Sequence, residues 1–228
     1  MELQKRILFE DNHIIVINKK VGELIQGDKT GDSTLSDFVK EYIKKKYNKP
    51  NSVYLGIVHR LDRPTSGAVI FAKTSKALSR LNDQFKSRIP KKIYWALVDG
   101  KFPYNHGILN HWMTRNKIKN KSKAHKNEVP NSKTAKLSFK RIKVLNHYCV
   151  LEIALETGRH HQIRAQLSEI GFPIKGDLKY GFNRSNNDGG ICLHARSLSI
   201  KHPVSKETLS FTADPKKKGI WKSVLFDL

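Results

Sequence analysis

The pattern of hydrophobic and polar positions predicts strands over much of the chain. The first apolar stretch, residues 6–19, is interrupted by Asp11 and Asn12, which predicts two strands joined by a turn. The continuous apolar run GAVIFAK at 67–73 predicts a buried strand. Further strands are predicted at 92–100, 135–142, 148–156, 191–200 and 207–213.

Apolar residues recur at helical spacing in three other stretches. Helices are predicted at 33–47, 75–89 and 160–171. Asp32 or Ser33 is available to cap the first helix, and Pro90 is expected to stop the second. Helices and strands follow one another without regular alternation, which favours an α+β fold with a mixed, mainly antiparallel sheet flanked by helices. No repeat or linker divides residues 1–228, so a single domain is predicted.

The charge balance of the chain indicates the kind of partner that it binds. Lysine and arginine total 43 against 20 acids, which gives a formal net charge of +23. Such an excess favours nucleic acid over a membrane surface as the binding partner, because counterions are released when basic side chains neutralise the phosphates. A general lysine bias in composition is the plainer alternative. Basic residues are dense at 115–143, which is interpreted as a flexible loop or insertion that faces RNA, or else as a merely solvated tract.

Several functional classes are disfavoured by motifs that the sequence lacks. It contains neither GxxxxGK[ST] nor GxGxxG, so the use of ATP or a dinucleotide is not supported. The ten histidines show no recognised ligand spacing, and no metal site is predicted. We find no signal peptide or transmembrane run, and Cys149 and Cys192 form no disulfide framework. A reducing cytoplasm is therefore the expected location.

Asp62 is the carboxylate with the strongest chemical context. The stretch VHRLDRPTSG at 58–67 places it between Arg60 and Arg63 and ahead of Gly67, which lets the chain turn into the next strand. Nearby guanidinium groups favour the ionised carboxylate, and an ionised carboxylate can act as a nucleophile toward an anomeric carbon or a polarised ring carbon. The alternative is an aspartate that stabilises the loop through an ion pair.

Two further segments carry candidate groups. Tyr94 lies between apolar neighbours on a predicted strand, where its ring can stack on a base and its hydroxyl can reach a proton. Arg159 and Arg164 flank the start of the third predicted helix, where backbone N–H groups also favour anions. Taken singly, Tyr94 also fits a core aromatic residue, and the two arginines fit simple phosphate contacts.

Together and in this order, these segments resemble the RluA-type pseudouridine synthases. The resemblance covers nearly the whole chain and is strongest in HRLDRPTSG at 59–67 and TGRHHQIR at 157–164. It implies that Asp62 is the catalytic aspartate. It also implies that Tyr94 stacks on the target base and helps to remove its C5 proton, that Arg164 pairs with the aspartate, and that Arg60 helps to expel the base.

The same resemblance implies the substrate, the fold and the remaining site residues. It predicts the pseudouridine synthase catalytic fold, an RNA substrate (ribosomal or transfer RNA), no cofactor, and a monomer away from membranes. Substrate-binding roles are implied for His59, Arg60, Leu61, Thr65, Ser66, Gly67, Lys92, Arg159 and Gln162. The chain departs from the family pattern at Lys20, where proline is expected, and no separate N-terminal RNA-binding domain fits before Ile7.

Two other functions remain open at this point. The first is an RNA-binding or RNA-chaperone protein that keeps the fold without turnover. The second is a glycosidase that releases free uracil, which requires a second acid and an attacking water. The products distinguish the three: pseudouridine, unchanged RNA or an abasic site.

Overall fold

The computed structural model describes residues 3–27 and 31–226. The chain divides into two compact units. The first unit contains Met1–Lys91 and Ala195–Asp214, and the second contains Lys92–His194 and Pro215–Leu228. The prediction of one catalytic domain stays a prediction.

The first unit is built on antiparallel strand pairs. Its strands are β1 (Ile7–Glu10), β2 (Ile14–Lys19), β3 (Gly56–Ile57), β4 (Ser66–Ala72), β10 (Leu193–Lys201), which enters this unit at Ala195, and β11 (Thr208–Thr212). The order is β1-β2-β4-β10, with β3 beside β4 and β11 beside β10. The predicted turn between β1 and β2 is confirmed, since Asp11 Oδ1 accepts the backbone N–H groups of His13 and Ile14 at 2.7 and 2.8 Å.

The described part of this unit also contains the α-helices α1 (Leu35–Lys46) and α2 (Ser75–Lys86). The predicted N-cap of α1, Asp32 or Ser33, is wrong. Thr34 caps the helix, because Asp37 stands three residues later and the two residues form a reciprocal capping box. Helix α2 ends at Lys86, short of Pro90, and Arg88 takes a left-handed conformation with φ 57°.

The core of the first unit forms where α2 covers the sheet. Its buried members alternate along β2 and β4 and meet the apolar side of α2, as the period of two in a strand and 3.6 in a helix requires. They are Ile14, Val16, Ala68, Ile70, Ala72, Ala77 and Leu81, with Leu198, Ile200, Phe211 and Ala213.

Within the described residues, the second unit contains a five-stranded antiparallel arrangement and two α-helices. Its elements are β5 (Lys91–Asp99), β6 (His106–Asn116), β7 (Lys121–His125), β8 (Lys133–Val144), β9 (Tyr148–Leu155), α3 (Gln162–Glu169) and α4 (Ile220–Leu225). The strand order is β5-β9-β8-β6-β7, and each neighbouring pair is antiparallel. Both units therefore combine antiparallel strands with helices, and the predicted α+β class is confirmed.

The basic segment 115–143 is not a flexible loop, so that prediction was wrong. It contains the end of β6, all of β7 and most of β8, in which β6 pairs with β7 on one side and with β8 on the other. The inward residues Ser122, Ala124 and Ala135 are buried, whereas Lys121 and Lys123 are exposed. Because the buried side chains are so small, their alternation with lysine gives little hydrophobic signal.

None of the helices in the described ranges is long and apolar enough to cross a membrane.

Candidate active site

Asp62 lies in the first unit, in the loop between β3 and β4. The loop closes in a turn in which the Asp62 carbonyl accepts the N–H of Thr65 at 3.0 Å. Lys19, at the end of β2, is only 1% exposed and donates from Nζ to the carbonyls of Lys20, Arg63 and Thr65 at 3.0, 3.1 and 2.6 Å. A buried ammonium group therefore holds the backbone on the C-terminal side of Asp62.

The environment of Lys19 opposes its charge. Burial lowers the pKa of Lys19 to about 8, although the negative charges of Glu23 and Asp62 act to raise it. The neighbouring turn at Lys20 is held without the proline that the family pattern predicts. The Lys20 N–H donates to Glu23 Oε2 at 2.8 Å, and the Gly22 N–H donates to the Arg63 carbonyl at 2.9 Å.

Gly67 fixes how the Asp62 loop enters β4. Its φ is +117°, in the region that favours glycine. A Cβ atom at this position would lie 2.3 Å from the carbonyl oxygen of Ala195 and 2.5 Å from its nitrogen. The close approach of the β10 backbone therefore requires glycine here, which gives this residue of the motif a structural reason.

The arginines beside Asp62 in sequence make separate contacts. Arg63 donates to the Gly22 carbonyl at 3.1 Å and to Asp32 Oδ2 at 2.9 Å. The exposed Arg60 donates to Gln26 Oε1 at 3.2 Å. The roles predicted for these two arginines at Asp62 stay predictions.

The other predicted residues of this loop differ in exposure and contacts. His59 accepts the N–H of Ile70 through Nε2 at 3.2 Å and stacks on Phe85 with ring centroids 5.0 Å apart. Leu61 and Thr65 are buried, and Thr65 Oγ1 has no hydrogen-bond partner within the described residues. His59 and Leu61 thus support the loop, whatever contact they also make with RNA.

The second unit holds the other predicted residues. Tyr94 lies on β5 directly opposite Ile153 of β9, half-buried against the hydrophobic core of this unit. Lys92 lies two residues earlier on the same strand, and its Nζ is 3.6 Å from the position of a Cβ atom on Gly158. This places Lys92 beside the loop that leads into α3.

Gln162 shapes that loop. Its Oε1 accepts the Thr157 hydroxyl at 2.8 Å and the Arg159 N–H at 2.9 Å, and its Nε2 donates to the Lys136 carbonyl at 3.1 Å. Arg159 donates from Nε to the Thr134 carbonyl at 2.9 Å. The loop before α3 is therefore fixed to β8, and Arg159 is held at the protein surface.

Arg164 projects from α3 and is almost completely buried. Asp177 pairs with it in a two-point contact, with Nε–Oδ2 at 2.7 Å and Nη2–Oδ1 at 2.9 Å. The guanidinium carbon also lies 4.9 Å from the centroid of the Tyr180 ring. Sequence reasoning missed Asp177 and Tyr180, although both lie in the segment IKGDLKYG at 174–181 that follows the helix.

Comparison with known proteins identifies the family. A family model described as RNA pseudouridylate synthase matches residues 13–169. The chain belongs to this family. The ribosomal large subunit pseudouridine synthase C of Vibrio parahaemolyticus is 30% identical over 95% of this chain and 68% of its own length. The protein of the same name in Buchnera aphidicola is 33% identical over 97% and 70%.

Solved structures agree on the fold. Human RNA pseudouridylate synthase domain containing 4 superposes with a TM-score of 0.78, at 22% identity, over 94% of this chain and 90% of that one. The chain spans about two thirds of the length of the curated relatives it matches. The RluA-type resemblance is thereby confirmed, and the protein is an RNA pseudouridine synthase, an isomerase.

The two histidines before α3 in this synthase are adjacent in space as well as in sequence. His161 is the N-cap, in a left-handed conformation with φ 53°, and its ring stacks on that of His160 with centroids 3.8 Å apart. Both histidines precede the first residue of the helix, Gln162. Across residues 3–27 and 31–226, no group of three or more His, Cys, Asp or Glu side chains is placed to hold a metal ion.

The buried Lys19 gives the synthase a testable pH dependence. We expect single-turnover pseudouridine formation to slow as the pH rises through about 8, the pKa of Lys19. Deprotonation removes a positive charge near Asp62 and leaves fewer N–H donors than the three carbonyls that Lys19 holds. The measurement is a pH–rate profile at saturating RNA.

The free energy of unfolding should depend on pH in the opposite direction to the single-turnover rate. The ordinary pKa of lysine is 10.5 and the folded value is about 8, so deprotonation between these values favours the folded chain and raises the free energy of unfolding. A Lys19→Met variant should be slower than wild type by about tenfold or more at neutral pH, with no further decline through pH 8. A wild-type rate that stays constant as the pH rises to 10.5, the ordinary lysine pKa, would contradict the requirement for a protonated Lys19.

Proposed function

We propose that this synthase converts a uridine of large-subunit ribosomal RNA to pseudouridine and that Asp62 is its catalytic carboxylate. The observation that carries the proposal is the Asp62 loop itself. Its backbone is fixed by the buried Lys19 ammonium group and by the glycine that the approach of β10 requires. A carboxylate on a rigid loop keeps the fixed position and orientation that covalent or proton-transfer chemistry needs.

The reaction rearranges bonds within one nucleotide. The N1–C1′ glycosidic bond breaks, the uracil turns while it is held, and C5 bonds to C1′. The C5 proton leaves and N1 gains one, so atoms and electrons balance without a cofactor or an external energy source. Asp62 starts this sequence either by attacking C1′ or by removing a ribose proton.

The target base must first leave its stack in the RNA, at a cost of a few kcal/mol. Tyr94 offers a ring for stacking, and its hydroxyl is assigned the removal of the C5 proton. Arg60 is assigned to the RNA at the loop surface, where it helps to expel the base. Arg164 is assigned the role of the arginine that, in the family pattern, pairs with the catalytic aspartate.

Contacts with the RNA backbone are assigned to residues that present cations or polar groups near these two segments. They are His59, Thr65, Ser66, Lys92, Arg159 and Gln162. The net charge of +23 supports electrostatic binding of RNA by more cations than the few in the Asp62 loop and near α3.

The names of the relatives support ribosomal RNA as the target, since several are large-subunit ribosomal synthases. A cytoplasmic, monomeric enzyme is proposed with it. The two cysteines, Cys149 and Cys192, are free and buried, and burial raises the pKa of each to about 11. Thiols held in this form suit a reducing compartment.

The RNA target is tested by mapping pseudouridine in total RNA from wild-type cells and from cells that lack the gene. The proposal predicts that a site in large-subunit ribosomal RNA disappears and that re-expression of the wild-type protein restores it. Re-expression of the Asp62→Asn variant should not. Loss of a site in transfer RNA alone would contradict the proposed target while leaving the activity in place.

The β6–β7 hairpin should contribute to RNA affinity through charge. Replacing Lys117, Lys119 and Lys123, which are all exposed, by glutamine should weaken binding. It should also lower the slope of log affinity against log salt by about 0.7–0.9 for each phosphate that the variant no longer neutralises. The charge-matched control replaces the exposed Lys216, Lys217 and Lys218. An equal change in slope for both triple variants would show that the hairpin has no special part in binding.

A further inference from the structure

Tyr180 lies at a junction of the second unit that the proposed chemistry does not use. It is 4% exposed. Its hydroxyl accepts the backbone N–H of Ser122, in β7, at 2.9 Å and lies 2.9 Å from Nδ1 of His161, at the start of α3. Its ring lies under the guanidinium group of Arg164. One side chain therefore contacts the β6–β7 hairpin, α3 and the arginine assigned to catalysis.

The Tyr180 hydroxyl joins two groups through one oxygen. The oxygen accepts the Ser122 N–H, and its contact with Nδ1 of His161 is a hydrogen bond whose donor is set by the tautomer of the imidazole. A neutral ring agrees with the surroundings: burial, followed by the charges of Arg164, His160, Lys179 and Arg115, lowers the pKa of His161 to about 2.

The segment that contains Tyr180 also holds Arg164 from its other side. Asp177 makes the two-point contact with the guanidinium group, and the Tyr180 N–H donates to the Asp177 carbonyl at 3.0 Å. Ser168 of α3 donates its hydroxyl to the Tyr180 carbonyl at 2.6 Å. Asp177 fixes two nitrogens of the arginine, and the Tyr180 ring lies 4.9 Å from the guanidinium carbon.

The hairpin is fastened to the same place by additional contacts. His160 is 2.9 Å from the Ser122 hydroxyl through Nδ1 and 3.1 Å from Asn120 Oδ1 through Nε2. Lys179 donates to the Asn120 carbonyl at 3.3 Å, and Lys121 Nζ lies 5.2 Å from the centroid of the Tyr180 ring. The turn of the hairpin, which is rich in exposed lysine, is thus joined to the segment that supports Arg164.

We propose that Tyr180 is a positioning residue for Arg164 and that its hydroxyl links the placement of the β6–β7 hairpin on RNA to the orientation of that arginine. The inference rests on the proposed function, in which Arg164 acts in catalysis. The proposal assigns Tyr180 no contact with the reacting atoms. Its effect is exerted through the guanidinium group and should appear in the rate rather than in RNA affinity.

The test uses Tyr180→Phe, which removes one oxygen and keeps the ring. The Ser122 N–H then loses its acceptor in a buried site, and the hairpin is no longer tied to α3 through this side chain. Single-turnover pseudouridine formation at saturating RNA should fall by about tenfold to a hundredfold. The Kd for RNA should stay within about twofold, because the exposed lysines are unchanged.

The control is Tyr104→Phe, which removes the hydroxyl of an exposed tyrosine in the same unit. It should change neither rate nor affinity. If Tyr180→Phe does not fold, His161→Asn takes its place: asparagine tolerates the left-handed backbone but is shorter than histidine, so it does not reach the Tyr180 hydroxyl. The same loss of rate is expected. A wild-type rate in the folded variant, or a loss of affinity with the saturated rate unchanged, would overturn the inference.

A double-mutant cycle with Arg164→Lys separates positioning from general stability. If Tyr180 acts through Arg164, Tyr180→Phe should slow the Arg164→Lys enzyme by less than about twofold. Effects that multiply in full would show that Tyr180 acts independently of the arginine and would overturn the inference. If Arg164→Lys alone has the wild-type rate, the role proposed for Arg164 fails, whereas the activity and the role of Asp62 still stand.

Discussion

Asp62→Asn should abolish pseudouridine formation and leave a folded protein that still binds RNA. A neutral amide is too weak a nucleophile or base for the step assigned to Asp62, so the single-turnover rate should fall by about a thousandfold or more. The fold should survive because the loop hydrogen bond at this residue uses its backbone carbonyl, which asparagine retains. RNA affinity should be equal or slightly higher, since a negative charge near phosphates is removed.

The measurement combines melting temperature, RNA affinity and single-turnover product on one preparation of the variant. The matched control is Asp83→Asn, the same change at an exposed position of α2, which should behave as wild type in all three. A structural aspartate predicts the reverse pattern, with a lower melting temperature and activity retained in the folded fraction. Appreciable product from Asp62→Asn would remove Asp62 from the catalytic role.

Tyr94→Phe should bind RNA normally and lose most of its turnover. The ring remains for stacking and for packing beside Ile153, so affinity and stability should be close to those of the wild type. Only the hydroxyl assigned to removal of the C5 proton is lost, and general acid–base groups contribute on the order of a hundredfold or more. Single-turnover rates at saturating RNA measure the effect.

The Tyr94 prediction separates chemistry from stacking. Tyr94→Leu should lose affinity as well as rate, because it has no ring on which a base can stack. Tyr94→Phe at the wild-type rate would mean that the tyrosine serves as a stacking surface or as part of the core. The exposed Tyr104→Phe is again the control for removal of a hydroxyl group.

The sequence predicted the strands and helices that have strong periodic signals. The buried run of β4 and the apolar spacing of α1 and α2 are examples, and their bounds differ from prediction by a few residues at most. Caps were harder, since Thr34 was passed over for its neighbours although Asp37 three residues later completes the capping box. The position of this N-cap depends on a pair of residues, Thr34 and Asp37, so it could not be predicted from single residues with a preference for N-caps.

The hairpin in 115–143 was missed because its buried face has almost no hydrophobic side chains. Ser122 and Ala124 pack inward between lysines, and small residues of this kind suit a site where Ala165 of α3 and Tyr180 come close. Hydrophobic periodicity detects large apolar residues. A strand that buries serine and alanine is visible only when the surface that covers it is known.

Part of the candidate site was predictable and part was not. The long motifs around Asp62 and Arg164 identified the segments to which the proposal assigns the chemistry. The residues that hold them, Lys19 and Asp177, were not found. A lysine at the end of a strand is ordinarily exposed, and nothing near Lys19 in sequence indicates that its ammonium group meets three carbonyls. Asp177 lies 13 residues after Arg164, so only the folded chain brings the pair together.

A product balance shows whether this synthase isomerises uridine and whether it needs Asp62 to do so. Large-subunit ribosomal RNA that lacks the modification is incubated with the wild-type protein and with Asp62→Asn, digested to nucleosides, and analysed for uridine, pseudouridine and free uracil. The wild-type protein should form one pseudouridine for each uridine lost, with no free uracil, and Asp62→Asn should form none. Release of free uracil by the wild type, or equal pseudouridine formation by both proteins, would contradict it.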